Sequence, residues 1–405
     1  MKTVVQFGAG NIGRGFMGQL FFEAGYQTIF VEASKPLVDL LNASGEYPLR
    51  ILDAASQKAI DLEIRHIRAL FVDEVEQISD AISTADVMAS AVGVNNLTHI
   101  APLVAAGVGR RFRTNPSPID VYLCENLLDA ASQLERHVLE RLENDVKAWA
   151  EGHVGFVGTS VARMVPEISE EVRKQYPGMV VADSYRKLPY DGTALKSTPP
   201  LISEMFPVNN FKAEVERKLF MYNLGHAALA YLGYLNGLRY VHEGFEDCEI
   251  ATVFNKALDE TGSALQKLYP EDIDARSQQE VREDINLRFS NPMMMDTIQR
   301  VGRDPIRKLG ADDRLLGSAH LCLSQGIFPK GVAIVCAAAL CYDEPNDPRA
   351  VELQDRIEQA GVEATLREVS SLDPESELGK TIINAYRRIQ KKRVRSERYF
   401  SFLTN

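Results

Sequence analysis

The architecture of the N-terminal half follows from one stretch, TVVQFGAGNIG at residues 3–13. Its first five residues form a short apolar run, and the glycines that follow have the spacing G-x-G-x-x-G at Gly8, Gly10 and Gly13. Apolar residues then recur at helical spacing until Gly25, which is typical of a helix end. A strand, a glycine turn and a helix in this order predict the start of a βαβ unit.

Each glycine has a physical task in such a turn. Gly8 permits the tight bend, Gly10 lets the backbone approach a pyrophosphate, and Gly13 allows the helix to pack closely on the strand. The free N–H groups and the positive helix end then attract the anion. We therefore predict a dinucleotide site whose contacts include Phe7, Gly8, Ala9, Gly10, Asn11, Ile12 and Gly13.

A second predicted strand ends on Glu32. A carboxylate at this point accepts hydrogen bonds from the ribose hydroxyls of NAD and repels the extra phosphate of NADP. The pattern therefore predicts NAD as the cofactor, although Lys35 is a cation that would instead accept such a phosphate. Val92 and Gly93 follow another strand end at the same edge of the sheet, where ligands collect. We predict that they contact the cofactor too; a plain loop is the alternative.

Strands continue to alternate with helices beyond this unit. Strand-like runs occur at residues 87–92, 121–124 and 154–157. Pro199 and Pro200 mark a break, and helical periodicity dominates from Phe211 onward. The predicted fold class is therefore α/β, with a Rossmann-type, doubly wound parallel sheet in residues 1–195 and a mainly α-helical C-terminal domain in residues 196–405.

Composition narrows the class of partner. The 405 residues are 45% hydrophobic and 25% charged, as in globular proteins, and the net charge of −11 argues against nucleic acid or a membrane surface. No signal-peptide pattern precedes the first strand, and no apolar run approaches the ~20 residues of a membrane span. The five cysteines are scattered, which is typical of reduced core residues. We expect a cytoplasmic protein.

One segment opposes the acidic balance. Seven cations crowd the C-terminus, namely Arg387, Arg388, Lys391, Lys392, Arg393, Arg395 and Arg398. A solvated last helix with cations near its negative end is the ordinary interpretation. A contact with an acidic partner or subunit is the alternative.

A second candidate site lies in RKLFMYNLGH, residues 217–226. With α-helical geometry, Lys218, Asn223 and His226 fall on one side of the helix. Their neighbours are apolar, namely Leu219, Phe220 and Met221. A lysine, an asparagine and a histidine that converge in an apolar setting are difficult to explain as surface or core residues, so we predict a catalytic group.

Several motifs, in this order along the chain, resemble the long-chain polyol-specific dehydrogenases. They are FGAGNIGRGF at residues 7–16, Cys124-Glu125-Asn126, the pattern K-x4-N-x2-H from Lys218 to His226, and RFSNPMMMDTIQRVGRDPIRKL at residues 288–309. The resemblance extends to about residue 385.

This resemblance implies NAD-dependent, metal-free hydride transfer between a sugar-alcohol phosphate and its keto sugar. Lys218 would be the general base, and burial beside apolar residues would lower its pKa toward that role. Asn126 and Asn223 would donate hydrogen bonds to the developing alkoxide, and His226 would hold a neighbouring substrate oxygen. The sequence contains no HExxH pattern, which would have indicated a metal site. A dehydrogenase of unphosphorylated polyols or hexuronates is the alternative. A catalytically silent NAD-binding protein is disfavoured because all four residues are present.

A phosphorylated substrate requires cations that bind a phosphomonoester. Two basic clusters offer them, Arg303, Arg307 and Lys308 in one and Arg186 and Lys187 in the other. We favour the first, because Gly302 and Pro305 suggest a rigid loop beside a helix end. Ion pairs with nearby aspartates, such as Asp304, Asp312 and Asp313, are the alternative. The expected partner is thus a small molecule, and the expected state is a monomer or homodimer.

Overall fold

The computed structural model describes residues 1–127 and 129–395, with the backbone alone for 393–395. The chain divides into two compact units, Met1–Val215 and Glu216–Asn405. Residues 196–215, which the sequence analysis assigned to the C-terminal domain, thus lie in the first unit.

Eleven strands occur in the described part of the chain, all in the first unit. They are β1 (Thr3–Phe7), β2 (Gln27–Glu32), β3 (Tyr47–Asp53), β4 (Lys58–Ile64), β5 (Ile67–Phe71), β6 (Val87–Ser90), β7 (Ile119–Leu123), β8 (Val154–Gly158), β9 (Val180–Asp183), β10 (Leu188–Asp191) and β11 (Met205–Val208).

Six of these strands form one parallel sheet in the order β5-β2-β1-β6-β7-β8. The order reverses between β1 and β6, so the crevice at their carboxyl ends is the switch point of a doubly wound sheet. Alternate side chains of β1 point to opposite faces of the sheet and pack into different hydrophobic clusters. Val5 and Phe7 lie in one cluster, and Val4 lies in the other. The predicted fold class is confirmed.

Helices cover both faces of this sheet. The helices that begin in the first unit are α1 (Gly18–Glu23), α2 (Lys35–Ser44), α3 (Val75–Thr84), α4 (Leu97–Thr114), α5 (Ala130–Leu139), α6 (Asn144–His153), α7 (Glu170–Gln175) and α8 (Phe211–Arg217), with a π-helical turn at Gly13–Met17 and a 3₁₀ turn at Val94–Asn96. Ile78 and Val104 pack with Val5 on one face, and Phe16 and Leu20 pack with Val4 on the other.

A small second sheet was not predicted. β3 and β4 form an antiparallel hairpin, and β9 joins β3 in parallel, with Leu49 opposite Val180. Most of β4 is exposed, so it lacks the apolar pattern by which a buried strand is recognised.

A buried carboxylate explains why the segment after residue 195 stays with the first unit. Asp120 on β7 is 1% exposed and accepts hydrogen bonds from the backbone of Lys196 at 2.8 Å and from the hydroxyl of Ser197 at 2.6 Å. β11 then pairs with β10. A proline pair can therefore mark a turn within a domain as well as a boundary.

Apart from an isolated bridge between Tyr240 and Thr297, the regular elements among the described residues of the second unit are all helical. Its helices are α9 (Leu224–Leu235), α10 (Cys248–Leu268), α11 (Ala275–Phe289), α12 (Ile298–Gly302), α13 (Pro305–Lys308), α14 (Leu316–Ser324), α15 (Lys330–Leu340), α16 (Pro348–Ser370) and α17 (Glu377–Arg395), with a π-helical segment at Lys218–Asn223 and 3₁₀ turns at Val241–Phe245 and Pro292–Met294. α9 and α15 are buried almost all round and form its centre.

The basic C-terminal segment lies largely on α17, where Ile382 and Ile389 are buried. Arg387 pairs with Glu363 of α16. The side chains of Arg393 and Arg395, and all of Arg398, lie outside the described residues.

All five cysteines are free. Four are buried, as expected, but Cys248 at the start of α10 is exposed, so the interpretation as a core residue is wrong for it. No helix among the described residues is long and apolar enough to cross a membrane.

Candidate functional site

The loop after β1 is shaped by close contacts that glycine alone permits. Gly8 has φ +83°, and a Cβ on it would lie 2.7 Å from the carbonyl oxygen of Ala91, in the loop after β6. A Cβ on Gly13 would lie 2.0 Å from the carbonyl oxygen of Gly8. A Cβ on Gly10 would meet nothing within 4 Å, so this glycine faces open space. The tight turn at Gly8 and the close helix packing at Gly13 agree with the tasks that the sequence pattern assigned to them, whereas the pyrophosphate contact at Gly10 stays a prediction.

Two side chains hold the loop in place. Glu32 at the end of β2 accepts hydrogen bonds from the backbone N–H groups of Ala9 and Ser34, each at 2.8 Å. Arg14 is buried and donates to the carbonyls of Ala9 and Gly178. Burial lowers the pKa of Arg14. The carboxylate of Glu32 keeps free lone pairs, because each of its oxygens has two.

The predicted cofactor residues therefore meet at one edge of the sheet. Gly93, with φ +84°, and Val92 follow β6 beside the β1 loop. Gly10, Asn11 and part of Ile12 are accessible, whereas the Phe7 side chain is 0% exposed, so Phe7 would contact a ligand through its backbone. Open space at Gly10, a helix start and a carboxylate with spare acceptors fit a dinucleotide such as NAD.

A carboxylate that the motif analysis did not single out lies at the same edge. Glu125 follows β7, is 6% exposed, and accepts hydrogen bonds at Oε1 from the Ser90 hydroxyl at 2.8 Å and the Val92 N–H at 3.0 Å. Its Oε2 is buried and has no hydrogen-bond partner in the described structure. Burial raises the pKa of Glu125, although the Ser90 hydroxyl and the nearby backbone N–H groups of Val92, Glu125 and Gly93 oppose the shift. Its position in Cys124-Glu125-Asn126 was the available signal.

The predicted catalytic segment, residues 217–226, departs from the α-helix that was expected. Residues Lys218–Asn223 form a π-helix, in which the N–H of Leu224 donates to the carbonyl of Leu219, five residues earlier. The α-helical spacing predicted here is therefore wrong. Because a π-helix bonds i to i+5, Asn223 lies one turn after Lys218. Single π-helical turns occur frequently at functional sites.

The burial of this segment matches the predicted apolar setting only in part, because Leu219 is half-buried. Phe220 and Met221 are buried, whereas Lys218, Asn223 and His226 are half-buried. Asn126, the fourth predicted catalytic residue, is exposed after β7 and belongs to the first unit; the other three belong to the second.

His226 is held by a buried charge. Its Nε2 lies 2.8 Å from Asp296 Oδ2, and its ring stacks on Phe289 with centroids 4.6 Å apart. Asp296 is 7% exposed, and its Oδ1 accepts from the Arg300 Nε at 2.7 Å. Because an ionised carboxylate only accepts, the ring donates from Nε2 and leaves Nδ1 as an acceptor.

The protonation states follow from burial and charge. Burial lowers the pKa of His226, and Asp296 opposes this shift only partly. Burial would raise the pKa of Asp296, but His226 and Arg300 outweigh it and hold that pKa below its usual range. We therefore assign a neutral His226 beside an ionised Asp296 whose charge partner is Arg300.

The candidate phosphate ligands differ in how they are engaged. Arg307 pairs with Asp304 at 2.9 Å and Asp313 at 3.0 Å, and Arg186 pairs with Glu23 and Glu204. These are ion pairs of the kind that the alternative interpretation proposed. Among the described residues, Arg303 forms no ion pair and is exposed, and Lys187 is exposed too.

Lys308 is 4% exposed, and its ammonium donates to the backbone carbonyls of Val301, at 2.7 Å, and Arg303. Burial, with smaller contributions from Arg314 and Arg307, lowers the pKa of Lys308 to about 7. No group of three or more histidine, cysteine, aspartate or glutamate side chains is placed to hold a metal in residues 1–127 and 129–395.

A doubly wound sheet with a glycine loop after β1 and a carboxylate at the end of β2 is typical of a dinucleotide-binding protein. The mannitol dehydrogenase Rossmann domain matches residues 2–204, and the mannitol dehydrogenase C-terminal domain matches residues 210–390. The chain belongs to the mannitol dehydrogenase family.

Similar proteins are found over nearly the full length. A mannitol-1-phosphate 5-dehydrogenase of Caldanaerobacter subterraneus subsp. tengcongensis is 34% identical, and one of Brevibacillus brevis is 35% identical; each match covers 95% of this chain and 98% of the relative. The same fold occurs in a D-sorbitol dehydrogenase (TM-score 0.80, 18% identity, 97% and 94% of the two chains) and in Pseudomonas fluorescens mannitol 2-dehydrogenase in complex with NAD and D-mannitol (TM-score 0.77, 18% identity, 98% and 93%).

The glycine loop allows a matched pair of substitutions. We expect Gly10→Ala to leave the melting temperature unchanged, because its Cβ enters open space, but to weaken NADH binding at least tenfold, because a pyrophosphate would meet that methyl group. Gly13→Ala should lower both, since its Cβ overlaps the Gly8 carbonyl. Thermal unfolding and NADH fluorescence titration measure the two effects. Unchanged NADH affinity in Gly10→Ala would place the cofactor elsewhere.

Proposed function

We propose that this protein interconverts D-mannitol 1-phosphate and D-fructose 6-phosphate with NAD. The observation that carries the proposal is the group Lys218, Asn223 and His226 around one π-helical segment, with His226 fixed by Asp296. Support comes from the full-length similarity to proteins named mannitol-1-phosphate 5-dehydrogenase. The substrate would be a small molecule, handled by a monomer or homodimer in the cytoplasm, and the net charge of −11 disfavours nucleic acid as a partner.

The proposed mechanism assigns one role to each residue. NAD, when bound, supplies the hydride acceptor. Lys218 takes the proton of the substrate alcohol as the carbon loses hydride, and it returns a proton in the reverse direction. Asn126 and Asn223 donate hydrogen bonds to the oxygen as its negative charge develops. His226, with Nδ1 free to accept, receives a hydrogen bond from a neighbouring substrate hydroxyl.

The direct test is the consumption of NADH with fructose 6-phosphate, fructose, fructuronate and tagaturonate side by side. We expect the highest kcat/KM with fructose 6-phosphate. Comparable efficiency with fructose would favour the alternative, a dehydrogenase of unphosphorylated polyols, and preference for a uronate would favour a hexuronate reductase. The ion pairs that already engage Arg307 and Arg186 are the observation that keeps this alternative open.

Lys218 should be essential to the chemical step. We expect Lys218→Ala to lower kcat by ~10²–10⁴-fold, the usual contribution of a general base, and to leave the dissociation constant of NADH within about twofold of wild type. Lys256→Ala, which removes an exposed lysine of α10, is the control and should change neither value. Turnover of Lys218→Ala within tenfold of wild type at its best pH would refute the assignment.

Asp296 should act through His226. Asp296→Asn removes the charge that raises the pKa of His226, so that pKa should fall further. Protonated His226 cannot accept the substrate hydroxyl at Nδ1, so the acidic limb of the kcat/KM profile should move to lower pH in the variant. The plateau should fall about tenfold, mainly through KM, because the ring loses its anchor. An acidic limb at the wild-type pH would show that His226 does not control it.

Binding of the substrate's phosphate group should depend most on Arg303. We expect Arg303→Ala to lower kcat/KM for fructose 6-phosphate by ~1.5–3 kcal/mol, the value of a hydrogen bond to a charged group, and to leave the poor activity with fructose unchanged. Arg307→Ala is the matched variant, with a smaller expected loss because two aspartates already engage that side chain. Equal losses with both sugars would assign Arg303 a structural role.

A further inference from the structure

The sheet contains two βαβ halves that are built in the same way. In the first, the chain runs from β1 through the glycine loop and α1 to β2; in the second, it runs from β6 through α4 to β7. The strands β1 and β6 are neighbours, so the two loops lie side by side at the switch point. In dinucleotide-binding sheets each half receives one mononucleotide.

In each half, a carboxylate at or just after the end of the second strand accepts the N–H of the residue two positions after the first strand. Ala9, two residues after β1, donates its N–H to Glu32 Oε2 at 2.8 Å. Val92, two residues after β6, donates its N–H to Glu125 Oε1 at 3.0 Å. Each loop also has a glycine with positive φ, Gly8 at 83° and Gly93 at 84°. Glu125 is therefore the counterpart of Glu32 in the second half.

The two clamps differ in their second oxygen. In Glu32 this oxygen accepts the N–H of Ser34 at 2.8 Å. In Glu125 the second oxygen, Oε2, has no hydrogen-bond partner in the described structure, even though the side chain is buried and only 6% exposed. Buried polar atoms in proteins almost always have a partner, so an unpaired acceptor at a ligand edge indicates a donor from the ligand.

We propose that Glu125 Oε2 accepts a hydrogen bond from a hydroxyl of the nicotinamide-side ribose, as Glu32 does from the adenosine ribose. The adenosine half lies over β1 and β2, where Glu32 is, so the other half of the dinucleotide lies over β6 and β7. A ribose presents hydroxyl donors, and a carboxylate oxygen accepts without donating when ionised. This inference rests on the NAD site of the proposed function but not on the identity of the sugar substrate.

The test uses three ligands that contain successively smaller parts of the dinucleotide. NADH contains both riboses, ADP-ribose lacks the nicotinamide ring, and ADP also lacks the second ribose. Binding is measured by calorimetry on the full-length chain without any sugar phosphate. We expect Glu125→Ala to weaken NADH and ADP-ribose at least tenfold, as for a charge-assisted hydrogen bond, and to change ADP less than twofold. Glu125→Gln should show the same pattern at smaller amplitude, because its amide oxygen can still clamp Val92.

Glu32→Ala is the matched control, since the adenosine ribose is present in all three probes and all three should weaken. Three outcomes would overturn the proposal. No change with any probe in the Glu125 variants would remove Glu125 from the site. Equal weakening of ADP would show that Glu125 only supports the loop. Weakening of NADH alone would place the donor on the nicotinamide ring. Wild-type binding of NADH without turnover of fructose 6-phosphate would count against the proposed substrate and leave this test intact.

Discussion

The approach of Gly13 to the carbonyl oxygen of Gly8 is the constraint on which the cofactor edge depends. A Cβ at residue 13 would lie 2.0 Å from that oxygen, so the helix can begin against the turn only because this side chain is absent. The same turn brings Gly8 against the carbonyl of Ala91, so the loop after β6 is placed by the loop after β1. Glu32 then accepts the N–H of Ala9, and Arg14 donates to the carbonyl oxygen of Ala9. Ala9 is thus held on both sides, and the next residue, Gly10, faces open space.

Features that depend on neighbours in sequence were predictable, and features that depend on distant partners were not. The β1 strand, its glycine turn and Glu32 follow from local spacing, and the structure contains each of them. The small sheet was missed because β4 exposes most residues and because β9 reaches β3 only after a long excursion of the chain. Glu125 was quoted as part of a motif, but its partners Ser90 and Val92 are more than 30 residues away, so the clamp becomes visible only in three dimensions.

Helical periodicity assumes 3.6 residues per turn, and it fails where the turn is wider. Both predicted sites contain such a turn, at Gly13–Met17 and at Lys218–Asn223. The residue types identified Lys218, Asn223 and His226 as a group, whereas their angular relation required the structure. In the second case the wider turn sets Asn223 one turn from Lys218, which suits two groups that are proposed to act on one substrate oxygen. A segment of polar residues in an apolar helix can thus be recognised by composition even where its predicted geometry is wrong.

The second unit keeps its buried groups in unequal charge states, and this bears on how it would bind a phosphate. Burial lowers the pKa values of both His226 and Lys308, that of Lys308 to about 7, whereas Asp296 stays ionised because His226 and Arg300 lie against it. A lysine whose pKa is lowered this far is not a permanent cation near neutral pH. An approaching phosphomonoester would favour its charged form, so phosphate binding beside Lys308 would draw in a proton. Arg303 is exposed and permanently charged, and it needs no such proton. At the proposed phosphate site, Arg303 would therefore attract the anion at any pH, whereas the charge that Lys308 contributes would depend on pH.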